Sequence, residues 1–262
     1  SLIERQDNDL CPTEFGKIAF QMYIKPEIAQ ILMENIIKTK KYHDSGELTY
    51  HPSTWLYIMC LTGEFKNTPP SKNLMNYIIL NYERYQNYLP ISSFPNELDY
   101  NFADFATNLK VLMVLEDWMN EVPEAQITDR YDIHSGDLNY FINIGCWLTI
   151  CMLRFSEAYG FSDIQAELKN FEQRVKAGIK EELLPLITIK GIGRKRARLL
   201  FNAGFKTSMD ILNANEQQLK QIAGFSTKLI DNIKQEIIKK GTKKTAVKGS
   251  KQNTQKRSMN SN

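Results

Sequence analysis

The stretch from Asp137 to Tyr159 constrains this chain most, because it is apolar on nearly every side. A helix that is hydrophobic all round has no face to give to water, so it belongs at the centre of a bundle. Ser135 or Asp137 can cap its start, and Gly160 can end it. The chain has no run of about 18 apolar residues, so no membrane span is expected. A cleavable signal is not apparent either.

The neighbouring segments supply partners for such a helix. Leu2 to Gln6 is strand-like, and Asp7-Asn8-Asp9 reads as a turn. Thr13 is a good N-cap for an amphipathic run from Phe15 to Tyr23, which Pro26 interrupts. Beyond Pro26, Ile28, Ile31, Leu32, Ile36 and Ile37 keep a helical stripe until a polar break at Lys38 to Gly46. Pro52-Ser53 opens a second helix, and further helices are expected at Leu74 to Tyr88, Phe102 to Met119 and Ser162 to Leu184. Nothing beyond the first residues reads as a strand. The body is expected to be all-α, and the chain, which starts at Ser1, reads as an excised piece of something longer.

Past Pro185 the pattern changes. Gly191-Ile192-Gly193 is followed at once by Arg194, Lys195, Arg196 and Arg198. Two glycines bring the backbone close to whatever lies outside, and the next N–H groups belong to an uncompensated helix start. With four cations beside it, that turn suits a phosphate and reads as a helix-hairpin-helix. A plain tight turn between packed helices is the alternative. A second, looser hairpin follows at Ala223-Gly224-Phe225-Ser226, and the expected core here is Leu199, Leu200, Ile211, Leu212, Leu219, Ile222, Leu229 and Ile233.

The formal charge of +3 hides an asymmetry. Residues 1–184 hold 16 Lys/Arg against 26 Asp/Glu, a balance of −10, whereas residues 185–238 carry +5 and residues 239–262 carry +8. Positive charge gathered at one end suits a polyanionic partner. The basic tail from 241 reads as solvated, with nucleic acid or a partner protein as its alternative ligand.

Other candidates are weaker. Glu116, Asp117 and Glu121 read as a solvated acidic face rather than a metal site. His134 has no nucleophile or carboxylate partner at useful spacing. Cys146 and Cys151 sit in the apolar helix and read as core, and the four cysteines form no Cys-x-x-Cys pair. No catalytic residue and no metal site is expected. No Gly-x-x-x-x-Gly-Lys-Ser/Thr phosphate loop occurs, so no ATP-hydrolysing machinery lies in these residues.

Five stretches in order resemble the C-terminal part of a known family. They are Thr13-Glu14-Phe15-Gly16 with Tyr23-Ile24-Lys25-Pro26; Leu115 to Glu121; Gly136-Asp137-Leu138 with Trp147-Leu148; Arg174 to Leu184; and Gly191 to Arg198 with Asn202-Ala203-Gly204. The family is that of the archaeal superfamily-two DNA helicases of the Ski-type branch, relatives of the helicase half of polymerase theta. The resemblance implies a ratchet-type helical bundle followed by a helix-hairpin-helix domain. Residues 1–24 would end a winged-helix domain, 25–184 would be the bundle, 185–240 the hairpin domain and 241–262 a basic tail. It also implies that the helix from Asp137 to Tyr159 touches a translocating single strand. Trp147 matches a tryptophan on that helix's DNA face, while Tyr140 stands where the family carries an arginine. Two residues seven apart share one helix face, so both rings could stack bases. Core packing is the alternative for each.

The expected function is therefore the DNA-guiding part of an ATP-dependent helicase of 3′-to-5′ polarity, working inside an archaeal cell on the nucleoid. ATP and magnesium would act in the motor domains of the parent. Single-stranded or forked DNA would bind through phosphates and stacking, with little sequence preference. The expected DNA-binding residues are Trp147, Tyr140, Gly191, Gly193, Arg194, Lys195, Arg196 and Arg198. The alternative is a scaffold for replication or repair proteins that uses the hairpin region and the tail.

Overall fold

A computed structural model describes residues 2–6, 9–66, 69–91 and 93–239. The expected turn at Asp7-Asn8 and the basic tail from 241 lie outside the described residues. The chain divides into two compact units, Ser1–Ile179 and Lys180–Asn262.

The first unit opens with strands β1 (Ile3–Gln6) and β2 (Asp9–Pro12), paired antiparallel with Glu4 opposite Cys11. The second strand is absent from the sequence reading, because Asp9 and Pro12 are poor strand formers and only pairing with β1 sustains them. Helix α1 (Glu14–Gln21) follows, with the Thr13 hydroxyl accepting from the Gly16 N–H at 3.0 Å. Gly16 has to be glycine, because a Cβ there would lie 2.1 Å from the Leu2 carbonyl oxygen.

Helix α2 (Pro26–Asp44) runs straight through the expected polar break. Thr39 continues its buried stripe, and Lys40 pairs with both Asp44 and Asp163. Then come α3 (Pro52–Cys60), α4 (Lys72–Asn81), α5 (Phe102–Met119), α6 (Glu124–Tyr131), α7 (Ser135–Ala158) and α8 (Ser162–Ala177). Two expected helices prove shorter. The one read over Leu74–Tyr88 tightens after Asn81 into a 3-10 turn, Tyr82–Tyr85, which lets Arg84 and Tyr85 reach Glu116. The one read over Ser162–Leu184 stops at Gly178, which adopts φ 62.

Helix α7 is the centre of this unit and touches α1, α2, α3, α5, α6 and α8. Leu138, Phe141, Leu148, Cys151, Met152 and Phe155 are all buried along it, each large apolar side chain contributing roughly 1.5–3 kcal/mol. By length and composition α7 would pass for a membrane span, with a mean hydropathy of 1.3 over an 18-residue window. Half of that window is buried inside the bundle instead. Its cap also differs from expectation. His134 is the N-cap, and the Asp137 carboxylate reaches back to accept from the His134 N–H at 2.9 Å.

The second unit holds α9 (Leu184–Ile187), α10 (Arg194–Asn202), α11 (Ser208–Asn213), α12 (Glu216–Lys220) and a last helix, α13, over 227–239. Ile189, Ile192, Leu200, Ile211, Leu219, Ile222, Phe225, Ile230 and Ile233 form its core. Leu199, expected there, is 39% exposed, because its neighbour Leu200 takes the inward face of α10. Leu212 and Leu229 are half-buried.

The end of α8 offers a direct test of this packing. The Trp118 indole donates to the Val175 carbonyl at 2.8 Å, and its ring lies where a Cβ on Gly178 would sit, 2.3 Å from Cε2. Gly160 has a similar φ of 72 with nothing within 4 Å. Both glycines relieve the left-handed penalty, but only Gly178 also makes room for a ring. Gly178→Ala is therefore expected to cost about 1–3 kcal/mol more than Gly160→Ala, measured by urea unfolding.

Candidate nucleic-acid interface

Packing of α7 against six helices leaves one stripe of it uncovered. Asn139, Asn143, Ile150, Arg154 and Glu157 are exposed, and Tyr140, Ile144 and Trp147 are half-buried beside them. Tyr140 and Trp147 thus share a face two turns apart. Their polar ends are already committed. Trp147 Nε1 donates to the Met22 carbonyl at 3.2 Å, and the Tyr140 hydroxyl donates to the Glu64 carbonyl at 2.6 Å. Each ring is therefore held in place by the bundle while part of its surface meets solvent. Arg154, seven residues beyond Trp147 on the same stripe, escaped the sequence reading. It is exposed, and its guanidinium pairs with Glu157 at 3.0 Å. The signal for it was spacing alone, and a single charge at the end of an apolar helix gave that spacing little weight.

In the second unit, Gly191 takes φ 93 with open space where a Cβ would point. Ile192 is buried and anchors the turn, its N–H donating to the Ile189 carbonyl at 3.0 Å. Gly193 is the N-cap of α10, and no side chain caps that helix. The first turn of α10 therefore starts without a side-chain cap, at the positive end of the helix. Lys190, Lys195 and Arg196 are exposed around them, and Arg194 is half-buried. One guanidinium nitrogen of Arg196 donates to the Gly191 carbonyl at 2.9 Å, which holds that side chain over the turn.

Arg198 is differently employed. It pairs with Glu182 at 2.8 Å and lies over the Phe201 ring, 5.1 Å from its centroid. Burial works against the Glu182 charge, but the hydrogen bond from Arg198, a backbone hydrogen bond and the nearby Arg198 and Lys180 charges together outweigh it, and the carboxyl stays below its usual range.

The same turn recurs 33 residues later. In the first hairpin the Ile189 and Ile192 N–H groups donate to Leu186 and Ile189; in the second, Ile222 and Phe225 donate to Leu219 and Ile222. Gly224 matches Gly191 with φ 81. The chemistry does not repeat. Lys190, Arg194 and Arg196 are replaced by Ala223, Thr227 and Leu229, and of the cations around the first turn Lys195 alone keeps a counterpart, Lys228. At the position of Gly193 stands Ser226, whose hydroxyl accepts from the Leu229 N–H at 3.4 Å. The second hairpin has its start capped and keeps one of these cations, so the phosphate chemistry of the pair is concentrated in the first.

The acidic residues do different work from that expected. The side chains of Glu116 and Asp117 are only 15% and 16% exposed, so they are no solvated face. Glu116 accepts from Ser53, Arg84 and Tyr85, tying α3 and the 3-10 turn to α5. Asp117 accepts from Arg130 and Tyr131, tying α6 to α5. Burial and these carboxylates push both tyrosine hydroxyls far above their ordinary pKa. Among the described residues no group of three His, Cys, Asp or Glu could hold a metal ion. Burial raises the Cys146 thiol to about 11 and Cys151 to about 12, which leaves neither a nucleophile.

Comparison with known proteins agrees with this architecture. Residues 53–178 match the family described as archaeal helicase, domain 4, and residues 183–239 match the SAM-like helix-hairpin-helix tandem. The chain is 32% identical over 229 residues to the ATP-dependent DNA helicase Hel308 of Thermococcus kodakarensis, covering 87% of this chain and 20% of that protein. The Hel308 of Pyrococcus horikoshii is 29% identical over 87% of this chain and 30% of its own length. For Methanocaldococcus jannaschii the figures are 32%, 86% and 17%. The chain thus spans less than a third of these relatives.

The hydrogen bonds that fix the two α7 rings can be tested one at a time. Tyr140→Phe removes only the hydroxyl and its bond to a backbone carbonyl, and should lower unfolding stability by about 1 kcal/mol. Trp147→Phe removes its bond together with part of the indole, and should cost more because ring packing is lost as well. Unchanged midpoints would show that those polar ends are satisfied equally well by water.

Proposed function

Because this chain belongs to the archaeal Hel308-type DNA helicases, we propose that it is the C-terminal strand-guiding part of an ATP-dependent enzyme that unwinds DNA with 3′-to-5′ polarity. ATP and magnesium would be handled by motor domains elsewhere in such a protein. This part would bind single-stranded or forked DNA in the archaeal cell, on the nucleoid. The observation that carries the reading is the uncapped, cation-ringed start of α10 at Gly191-Ile192-Gly193. A helix start with no side-chain cap, flanked by Lys190, Lys195 and Arg196, favours a phosphate and reads no base.

The α7 stripe would supply a separate contact with a strand. Stacking of a base on Trp147 or Tyr140 is worth about 1–3 kcal/mol and tolerates any sequence. Tyr140 in place of an arginine gives a ring and no charge, so attraction for the strand there would rest on stacking. Arg154 would bring a cation back to the same stripe on the other side of Trp147. Residues 1–24 would end a winged-helix domain, with 25–184 the bundle and 185–240 the hairpin domain, whereas the compact units divide between Ile179 and Lys180.

Binding of oligothymidylate across a salt series tests the reading. Roughly three phosphate contacts predict a log–log slope near −2. Lys195→Glu combined with Arg196→Glu should weaken binding to every sequence alike and flatten that slope. Arg198→Ala should change affinity less, because Arg198 is already paired with Glu182. Flat salt dependence in the parent chain, or unchanged affinity in the double variant, would contradict a phosphate site at this turn and favour a protein-binding scaffold.

A further inference from the structure

The first unit contains a cleft that the strand-guiding role does not use. It lies between the end of α2 and the segment that follows α4, with a volume of about 690 Å³. That is within the usual range for a ligand site. Tyr42, Tyr82 and Phe94 line it, all half-buried, with Leu48 and Leu89 buried among them. The Tyr82 and Phe94 rings sit 5.5 Å apart, so the aromatic wall is continuous.

Its polar lining has one sign. Glu47 and Glu83 are both exposed at the cleft, and no cation lines it among the described residues. Glu47 accepts from the Ser45 hydroxyl at 2.8 Å, which leaves acceptor capacity on its carboxylate. Glu83 is in no ion pair among the described residues, and Gln86 adds an exposed amide. One ring already receives a cation from outside the lining, because Lys38 Nζ lies 5.6 Å from the Tyr42 centroid.

We infer that this cleft binds an arginine side chain presented by a basic segment of a partner protein. The two carboxylates in the lining repel phosphate, so a nucleic acid is the wrong ligand at this cleft. A guanidinium meets every feature of the lining at once. Its flat face stacks on tyrosine or phenylalanine, and its fork of N–H donors matches carboxylate and amide acceptors. An ammonium satisfies the charge but has no plane to stack. The volume exceeds one side chain, which leaves room for the backbone that carries it.

The test uses this chain and three fluorescent peptides of sequence (Gly-Arg)3, (Gly-Lys)3 and (Gly-Glu)3. The arginine peptide should bind at least about tenfold more tightly than the lysine peptide, and the glutamate peptide not at all. Glu47→Gln combined with Glu83→Gln should weaken arginine-peptide binding about tenfold, while affinity for oligothymidylate stays unchanged. Gln86→Lys, an exposed substitution that puts a cation in the cleft, should abolish peptide binding with the unfolding midpoint unmoved. Equal binding of the arginine and lysine peptides would overturn the inference, since it would reduce the effect to diffuse attraction by an acidic surface. Undiminished binding in either variant would overturn it as well.

Discussion

Everything in the first unit depends on how α7 is buried. A helix with Leu138, Phe141, Leu148, Met152 and Phe155 all withdrawn from water needs neighbours on most of its circumference. Six helices provide them. The consequence for function is subtractive, since a helix covered that thoroughly has only a narrow stripe left to offer. That stripe carries Asn139, Tyr140, Asn143, Trp147, Ile150 and Arg154, a mixture of flat rings and polar groups rather than a charged ridge. Its rigidity comes from the same packing. Trp147 and Tyr140 are pinned by hydrogen bonds to carbonyls of separate segments, so a ligand meeting them would pay little to order them.

The bundle is closed by a few polar clamps at its edges. Glu116 and Asp117, adjacent on α5, each draw in an arginine and a tyrosine from a different element. One residue on, the Trp118 indole closes over Gly178 and bonds to Val175, joining α5 to the end of α8. Two of the stretches that carry the family resemblance, Leu115–Glu121 and Arg174–Leu184, therefore meet in space. Their shared work is structural. A buried carboxylate paired this way is costly to break by removing one partner, which is a sufficient reason for such a motif without any part in chemistry.

What the sequence revealed follows from which signals are local. The 3.6-residue periodicity of α8, with Ile164, Leu168, Phe171 and Val175 buried, is plain to read. So is the glycine turn before α10, because its backbone requirement is written in the residue types. Capping by His134 and the extension of α2 through Lys40 were not legible, since they depend on Asp137 folding back and on Asp163 arriving from another helix. The pairing of Arg198 with Glu182 was equally hidden, and it changes which of the four cations beside the glycine turn stand ready for a phosphate. The 33-residue repeat was visible only as a looser second hairpin. The shared hydrogen-bond pattern makes it a repeat, and the lost cations make it chemically unequal.

The proposed role of α7 puts its uncovered stripe against a nucleic-acid strand. A photo-crosslinking amino acid at Asn143, which lies on that stripe between the two rings, tests it most directly. The control position is Asp104, exposed at the start of α5. With labelled oligothymidylate, a covalent adduct is expected from position 143 and none from position 104. Adducts from both positions, or from neither while the strand still binds, would contradict it.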